Sequence, residues 1–393
     1  MTSKLKKHFP MIRDREELLS IIHNNKKLKK TFYSWKEEQQ KEFLDFCSGV
    51  RGVKPLYDSF FKEVMNPEYA PERLERLLSI LLNRKVKIRQ ILANDSTRIA
   101  EESSLLITDI IVELEDGAIA NVEVQKVGYH FPGQRSACYS ADMLLRQYKR
   151  VRNQQKDKFS YYQIKSVFLI VFYESSPKEL KLFPQKYIHR SKQVFDSGLQ
   201  LELLQEYVMI SLDIFHANMQ NKSIETMLEA WLTFLACDHP ERIIELITRY
   251  PEFKPLYETL YQMCQNVEGV MGFFSEELRI MDQNLVQYMI EEQQKEIEEN
   301  EKIIKELREE QEDIRSAVEK AEKERAKVKK EIEEAKKETE EAKKETEEAK
   351  KETEEAKKET EEAKKETEES KKKLKEKDVQ IEKLMKELEK YRK

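Results

Sequence analysis

The chain has 393 residues, 37 % of them charged, with a formal net charge of −5 and a mean hydropathy of −0.77. The length suits two domains or one domain with a long appendage, and the polarity excludes a wholly globular chain. Residues 291–393 hold 31 Lys/Arg and 37 Asp/Glu, which leaves 40 and 39 of the totals of 71 and 76 for residues 1–290. The excess charge is therefore a property of the tail. The near-neutral remainder argues neither for nor against nucleic acid, because a basic groove fits on a neutral domain.

Residues 1–50 are charged and patterned as helix. "YDSFFKEVM" sets Phe60, Phe61 and Val64 on one helical face, Pro67 and Pro71 interrupt, and "PERLERLLSILLNRKV" restarts with Pro71 in a favourable first-turn position. The character changes at Leu105. "LLITDIIVEL" is β-branched and apolar, "EDGA" is a turn signal and "IANVEVQ" is a second strand, which predicts a β-hairpin centred near Asp116-Gly117. "GYHFPGQ" reads as a loop and "RSACYSADMLLRQYKRVRNQQ" as a helix. "IKSVFLIVFYES" is nearly all apolar and belongs at the centre of a sheet, and "LLQEYVMISLDIF" is a further strand. Residues 222–283 are helical in pattern, with leucines and methionines that form core.

From Ile304 onward one heptad register holds. Its a positions start with Ile304, Gln311 and Val318 and end with Leu374, Ile381 and Leu388. Its d positions start with Leu307 and Ile314 and end with Leu384. A strict seven-residue repeat predicts a left-handed coiled coil. The "KKETEEA" repeats place Glu at g and Lys at the following e, as at Glu345 and Lys350, which favours a parallel homodimer. The seam there is only Thr and Ala, so a lone charged helix is the alternative.

Cys47, Cys138, Cys237 and Cys264 form no CxxC pair, which argues against a zinc ribbon and for free buried thiols. The longest strongly apolar run, Val167–Tyr173, is far shorter than the ~20 residues of a membrane helix, so the expectation is a soluble, cytoplasmic protein with no membrane contact.

The chemistry lies in the hairpin. Folded about its turn, it sets Asp109 opposite Glu123 or Val124, so two carboxylates can converge on one patch of sheet. Buried acids at such range repel and each bears a desolvation cost. A divalent cation relieves both, and Mg²⁺ binds through one or two carboxylates with waters and phosphate. Gln125 projects to the same face as Glu123, where an amide can orient water or phosphate but supplies no charge. Gln134, Arg135, Tyr139, Gln147 and Tyr148 follow close behind.

The text "DSFFKEVM", "STRIAEESSLLITDIIVELEDGAIANVEVQ" and "RSACYSADMLLRQY" resembles the PD-(D/E)XK nuclease superfamily over residues 55–215. More narrowly it resembles the PD-(D/E)XK family transposases and the bacterial recombination-promoting nucleases. The resemblance implies an α/β, restriction-endonuclease-like mixed sheet with an αβββαβ core, and a metal-dependent DNA endonuclease using Mg²⁺, with Mn²⁺ able to substitute. It sets the signature Asp at Asp109 and the (D/E)XK element at Glu123-Val124-Gln125, with Gln125 where Lys is typical and Thr108 where the "PD" proline would stand. An acid from the leading helix falls on Glu75, with Glu72 beside it. Arg135 and Gln147 would contact phosphate. Tyr139 would stack on a base or pack in the core. The implied organisation is a helical segment over 1–54, a nuclease-like domain over 55–221, a helical extension over 222–290 and a coiled coil over 291–393. The competing function is an inactive nuclease-like scaffold that dimerises or binds a partner through its long helix.

Overall fold

The computed structural model describes residues 3–92, 110–126 and 132–390. It has two units, Met1–Glu296 and Ile297–Lys393. Three helices open the first unit: α1 (Arg15–Asn24), α2 (Lys26–Ser34) and α3 (Glu37–Cys47). The side chain of Asn25 caps α2 by accepting from the backbone N–H groups of Lys27 and Leu28. Next come α4 (Asp58–Val64) and α5 (Pro71–Leu81), which begins on Pro71 as its missing N–H allows.

The sheet follows: β1 (Ile88–Ile91), β2 (Ile110–Leu114), β3 (Ile119–Gln125), the long helix α6 (Pro132–Gln155) and β4 (Val167–Tyr173). With α5 these give the expected αβββαβ order. The short helix α7 (Lys178–Lys181), β5 (Ile188–Lys192) and β6 (Gln205–Ser211) complete a sheet ordered β1-β2-β3-β4-β6-β5. β4 pairs in parallel with β3 and with β6, and the other neighbours are antiparallel. The apolar run of β4 is thus interior, buried at all seven residues.

Gly117, at φ +86°, makes the hairpin turn, a left-handed backbone that a Cβ would strain. Pairing from Ile110↔Val122 to Glu113↔Ile119 keeps one register. The alternation then sorts the two faces. Even-numbered residues, such as Val112, Val122, Ile170 and Phe172, join the main core with α1–α5 and the C-terminal helices. Odd-numbered residues, such as Ile111, Ile119, Leu169 and Val171, face the α6 side with Tyr139 and Met143.

Three details differ from the sequence expectation. β1 and β5 are edge strands with little apolar alternation, so period-2 patterning does not reveal them. The "LDIF" expected to prolong β6 instead opens α8 (Leu212–Asn218), where Asp213 accepts from the Ser176 backbone N–H. Cys138 is exposed, whereas the other three cysteines are buried and all four are free.

Helices α9 (Met227–Ala236), α10 (Pro240–Arg249) and α11 (Lys254–Met263) pack into the main core, and α12 runs Val267–Lys390. Phe274, near the start of α12, meets Trp35, Phe43 and Phe46 at ring separations of 5.0, 5.7 and 5.6 Å. Each such aromatic pair contributes roughly 0.5–1.5 kcal/mol beyond area burial, so the first turns of α12 are fixed to the N-terminal helices. In the second unit the helix over 297–390 spans about 140 Å at ~1.5 Å per residue. Its seam residues Ile304, Leu307, Ile314, Leu374, Ile381 and Leu388 are all exposed. The Thr339 hydroxyl donates to the Ala335 carbonyl at 2.5 Å, and Thr346, Thr353, Thr360 and Thr367 repeat that bond one heptad apart. Among the described residues no helix is long and apolar enough to cross a membrane.

Candidate active site

β3 carries a polar row on its α6 face. Asn121, Glu123 and Gln125 are all buried and alternate along the strand, so all three point the same way. The Gln125 Nε2 donates to Glu123 Oε1 at 2.8 Å. Glu123 Oε2 is buried and has no hydrogen-bond partner among the described residues, and neither has the Asn121 amide. Burial pushes the Glu123 carboxyl from its ordinary 4.5 up to about 7, against the smaller opposing effects of the Gln125 bond and the Arg135 charge.

Glu113, buried on the same face, is partnered quite differently. It accepts from Arg89 at 3.0 Å and from Gln90 at 2.6 Å, and Arg150 lies 3.2 Å away. Glu113 has a full set of donors. Glu123 has one amide and an oxygen left over. An unpartnered buried carboxylate is costly unless a proton or a cation joins it.

α6 and β4 supply the surroundings. Arg135 lies close enough to Glu123 to act on its charge, contacts the Tyr139 hydroxyl at 3.4 Å, and reaches Glu291 of α12 at 3.3 Å. Tyr173, paired with Gln125 in the parallel ladder, has its phenol pushed up by burial and then by the Glu123 charge. Tyr173 and Glu291 carry no sequence signal of their own. The parallel register brings one to the site and the packing of α12 brings the other.

Lys126 follows Gln125 directly and faces the opposite side of the sheet. Its ammonium lies 3.1 Å from Glu174 and 3.2 Å from Glu277, and 4.9 Å above the Tyr57 ring. It is therefore no stand-in for the lysine that Gln125 replaces.

Glu123, Gln125 and Arg135 come together. Three other candidates lie elsewhere or are used otherwise. Glu75 bonds Lys87 at 2.6 Å and the Ile88 backbone N–H at 2.9 Å, level with Leu114. That is four residues along β2 from Ile110, roughly 13 Å from the Glu123 end at ~3.4 Å per residue. Gln147 is fully buried, donates to the Gly117 carbonyl at 3.1 Å and accepts from the Lys165 N–H at 2.7 Å, so it latches the hairpin turn to the segment leading into β4. Tyr139 packs its ring against Leu169, Val171 and Tyr173, which leaves no free face for a base. Asp109 lies outside the described residues.

The donor set decides whether a divalent ion fits. Among the described residues no group of three His, Cys, Asp or Glu side chains forms a ready cage. A hard cation such as Mg²⁺ needs only one or two carboxylates, with water and phosphate completing it. The orphaned Oε2 of Glu123 beside an unpartnered Asn121 amide fits that requirement.

Gln147→Ala leaves the Gly117 carbonyl and the Lys165 N–H without their partner. It should cost about 1–3 kcal/mol for each group that water does not reach, measured by urea denaturation. At Glu123 the effect depends on pH. Its folded-state pKa lies above its ordinary value, so the stability it contributes is full below about pH 4.5 and is lost as pH rises through about 7. Metal-free protein should lose roughly 3 kcal/mol over that window, because each tenfold change in proton affinity is worth about 1.4 kcal/mol. Glu123→Gln should flatten the loss. Denaturant midpoints in EDTA at pH 5 and pH 8 decide it.

No curated protein and no solved structure matched the chain. The family model for PD-(D/E)XK nuclease family transposase matches residues 55–286, more than half of the 393. Nucleases of this family generally use divalent metal ions, and the family implies a DNA substrate and a nuclease-like function linked to transposition. With the αβββαβ sheet and the Glu123–Gln125 pair on its third strand, the chain belongs to the PD-(D/E)XK nuclease family transposases.

Proposed function

We propose that the chain is a Mg²⁺-dependent DNA endonuclease acting in transposition or recombination, with Mn²⁺ able to replace Mg²⁺. The observation that carries this reading is the buried, unpartnered Oε2 of Glu123 on the strand that resembles the family's acidic element. Glu123 would hold the ion, and Asp109 would supply the second carboxylate. Constant pairing from Glu113↔Ile119 to Ile110↔Val122 supports that choice, because one further step of the same register, if it held, would set position 109 opposite Glu123. Bound there, a divalent ion polarises the scissile phosphodiester and acidifies a water. Gln125 fixes the Glu123 carboxylate through its amide and orients water or phosphate. Arg135 places positive charge beside the developing negative charge of the phosphate. Through the exposed seam of its long helix the protein would act as a parallel homodimer in the cytoplasm, and light scattering should then report twice the chain mass.

A second reading, an inactive nuclease-like scaffold, is favoured by Gln125 and Lys126. The residue at the lysine position has no charge, and the neighbouring lysine is bound on the other face. Supercoiled plasmid incubated with Mg²⁺ or Mn²⁺ separates the two. Nicking by the wild type that disappears in Glu123→Gln supports the nuclease. Nicking that persists in the variant overturns the site, and no cleavage of any DNA form with either metal supports the scaffold.

A further inference from the structure

Beyond the end of α6 the chain builds a second surface, level with the hairpin turn. Gln147 bonds Gly117 in the turn, so the neighbouring Tyr148 lies six residues of β3, roughly 20 Å at ~3.4 Å per residue, from Glu123. α6 stops at Gln155, and Lys156 takes φ +45°, a left-handed conformation that glycine ordinarily fills. The chain folds back there. The Ser160 N–H donates to Gln163 Oε1 at 2.9 Å and holds the following turn, Tyr161–Gln163.

This reversal assembles an aromatic group. The Tyr161 ring stacks on Tyr148 at 6.1 Å and 14°, and Phe159 meets both edge-on at 5.5 and 5.2 Å. The Arg152 guanidinium lies 5.7 Å from the Tyr148 ring and 5.9 Å from Phe159, and the Lys165 ammonium lies 4.6 Å from the Tyr162 ring. Tyr161 is 73 % exposed and Tyr162 85 % exposed. Two large rings left in water, ordered by packing and capping rather than hidden by them, need an explanation other than the core.

The charge around them is one-sided. Residues 148–165 contain five Lys/Arg from Lys149 to Lys158, together with Lys165, against one acid, Asp157, in a chain whose net charge is −5. Arg150 is engaged by Glu113, and Arg152, Lys156 and Lys158 are exposed.

We propose that this corner is a binding platform for single-stranded DNA, separate from the Glu123 site. Unpaired bases present π-faces for stacking on Tyr161 and Tyr162, and the phosphates between them meet the surrounding cations. A duplex keeps its base faces stacked on one another and gains only the charge term. The proposal rests on the reading that DNA is the substrate and adds where an unpaired segment of it is held.

The test is fluorescence anisotropy with the full chain in EDTA, which prevents cleavage. The probes are labelled oligothymidylate of about 20 nucleotides, longer than the ~4–16 nucleotides that one binding fold covers, and a duplex of equal length. Tyr161→Ala with Tyr162→Ala should weaken single-strand binding about tenfold or more and leave duplex binding within about twofold. Tyr161→Phe with Tyr162→Phe keeps the rings and should bind as the wild type does. Unchanged single-strand affinity in the alanine variant, equal loss on both probes, or no single-strand binding by the wild type would each overturn the proposal. Plasmid nicking is a separate readout: it fails with the Glu123 reading, whereas the anisotropy fails with the platform.

Discussion

Glu123→Gln is expected to lower metal-dependent DNA cleavage by at least about 10²–10³-fold, the loss typical of removing one preorganised electrostatic group from a reaction centre. The substitution is nearly isosteric. It removes the charge that would hold the ion and leaves the side chain able to hydrogen-bond Gln125, which now donates to Glu123 Oε1 at 2.8 Å. It also ends the burial of a carboxylate whose pKa stands at about 7. The metal-free variant should therefore be more stable than the wild type at pH 8 and alike at pH 5. Metal should raise the melting temperature of the wild type more at pH 8 than at pH 6, because a cation competes with the proton for Glu123. In Glu123→Gln that increment should vanish. A variant less active yet more stable is the signature of an acid kept for chemistry.

The largest loss of stability is expected from Lys126→Ala, at about 3–5 kcal/mol. Lys126 and Glu277 are both deeply buried and 3.2 Å apart, and Glu277 also accepts from the Asp58 backbone N–H at 2.9 Å. Removing the lysine strands a carboxylate inside the junction of β3, α4 and α12. Two charges taken out of water gain little net over a neutral pair, so the double variant Lys126→Met with Glu277→Gln should recover most of the loss while keeping an acceptor for Asp58. Urea denaturation of the two single variants and the double variant measures this. Cleavage by the double variant should stay near wild type, since Lys126 faces away from Glu123.

The fold was legible where a local rule and the tertiary structure agree. Gly117 and the alternation around it announce the hairpin, Pro71 announces the start of α5, and the apolar Val167–Tyr173 announces an interior strand. The edge strands β1 and β5 were not legible, because an edge needs few buried side chains and shows little period. The candidate site divides in the same way. Glu123 and Gln125 share a face by the two-residue period of a strand, a property of sequence alone. Whether a residue of α5 or α6 reaches that patch depends on how far along the sheet it lands. Sequence spacing does not carry that information: Glu75 lands beside Ile88 and Gln147 beside Gly117, while Arg135 lands near Glu123. Tyr173 came to Gln125 through a long parallel crossover that contains α6, whose register no turn dictates.

The most direct measurement is calorimetric titration of Mn²⁺ into the wild type, Glu123→Gln and Asp109→Asn at pH 8. One ion per wild-type chain is expected, and that binding should be lost in each variant, because a single ion shared by two carboxylates cannot be held by either alone with the same affinity. Mn²⁺ bound equally well by Glu123→Gln would contradict a metal site at Glu123.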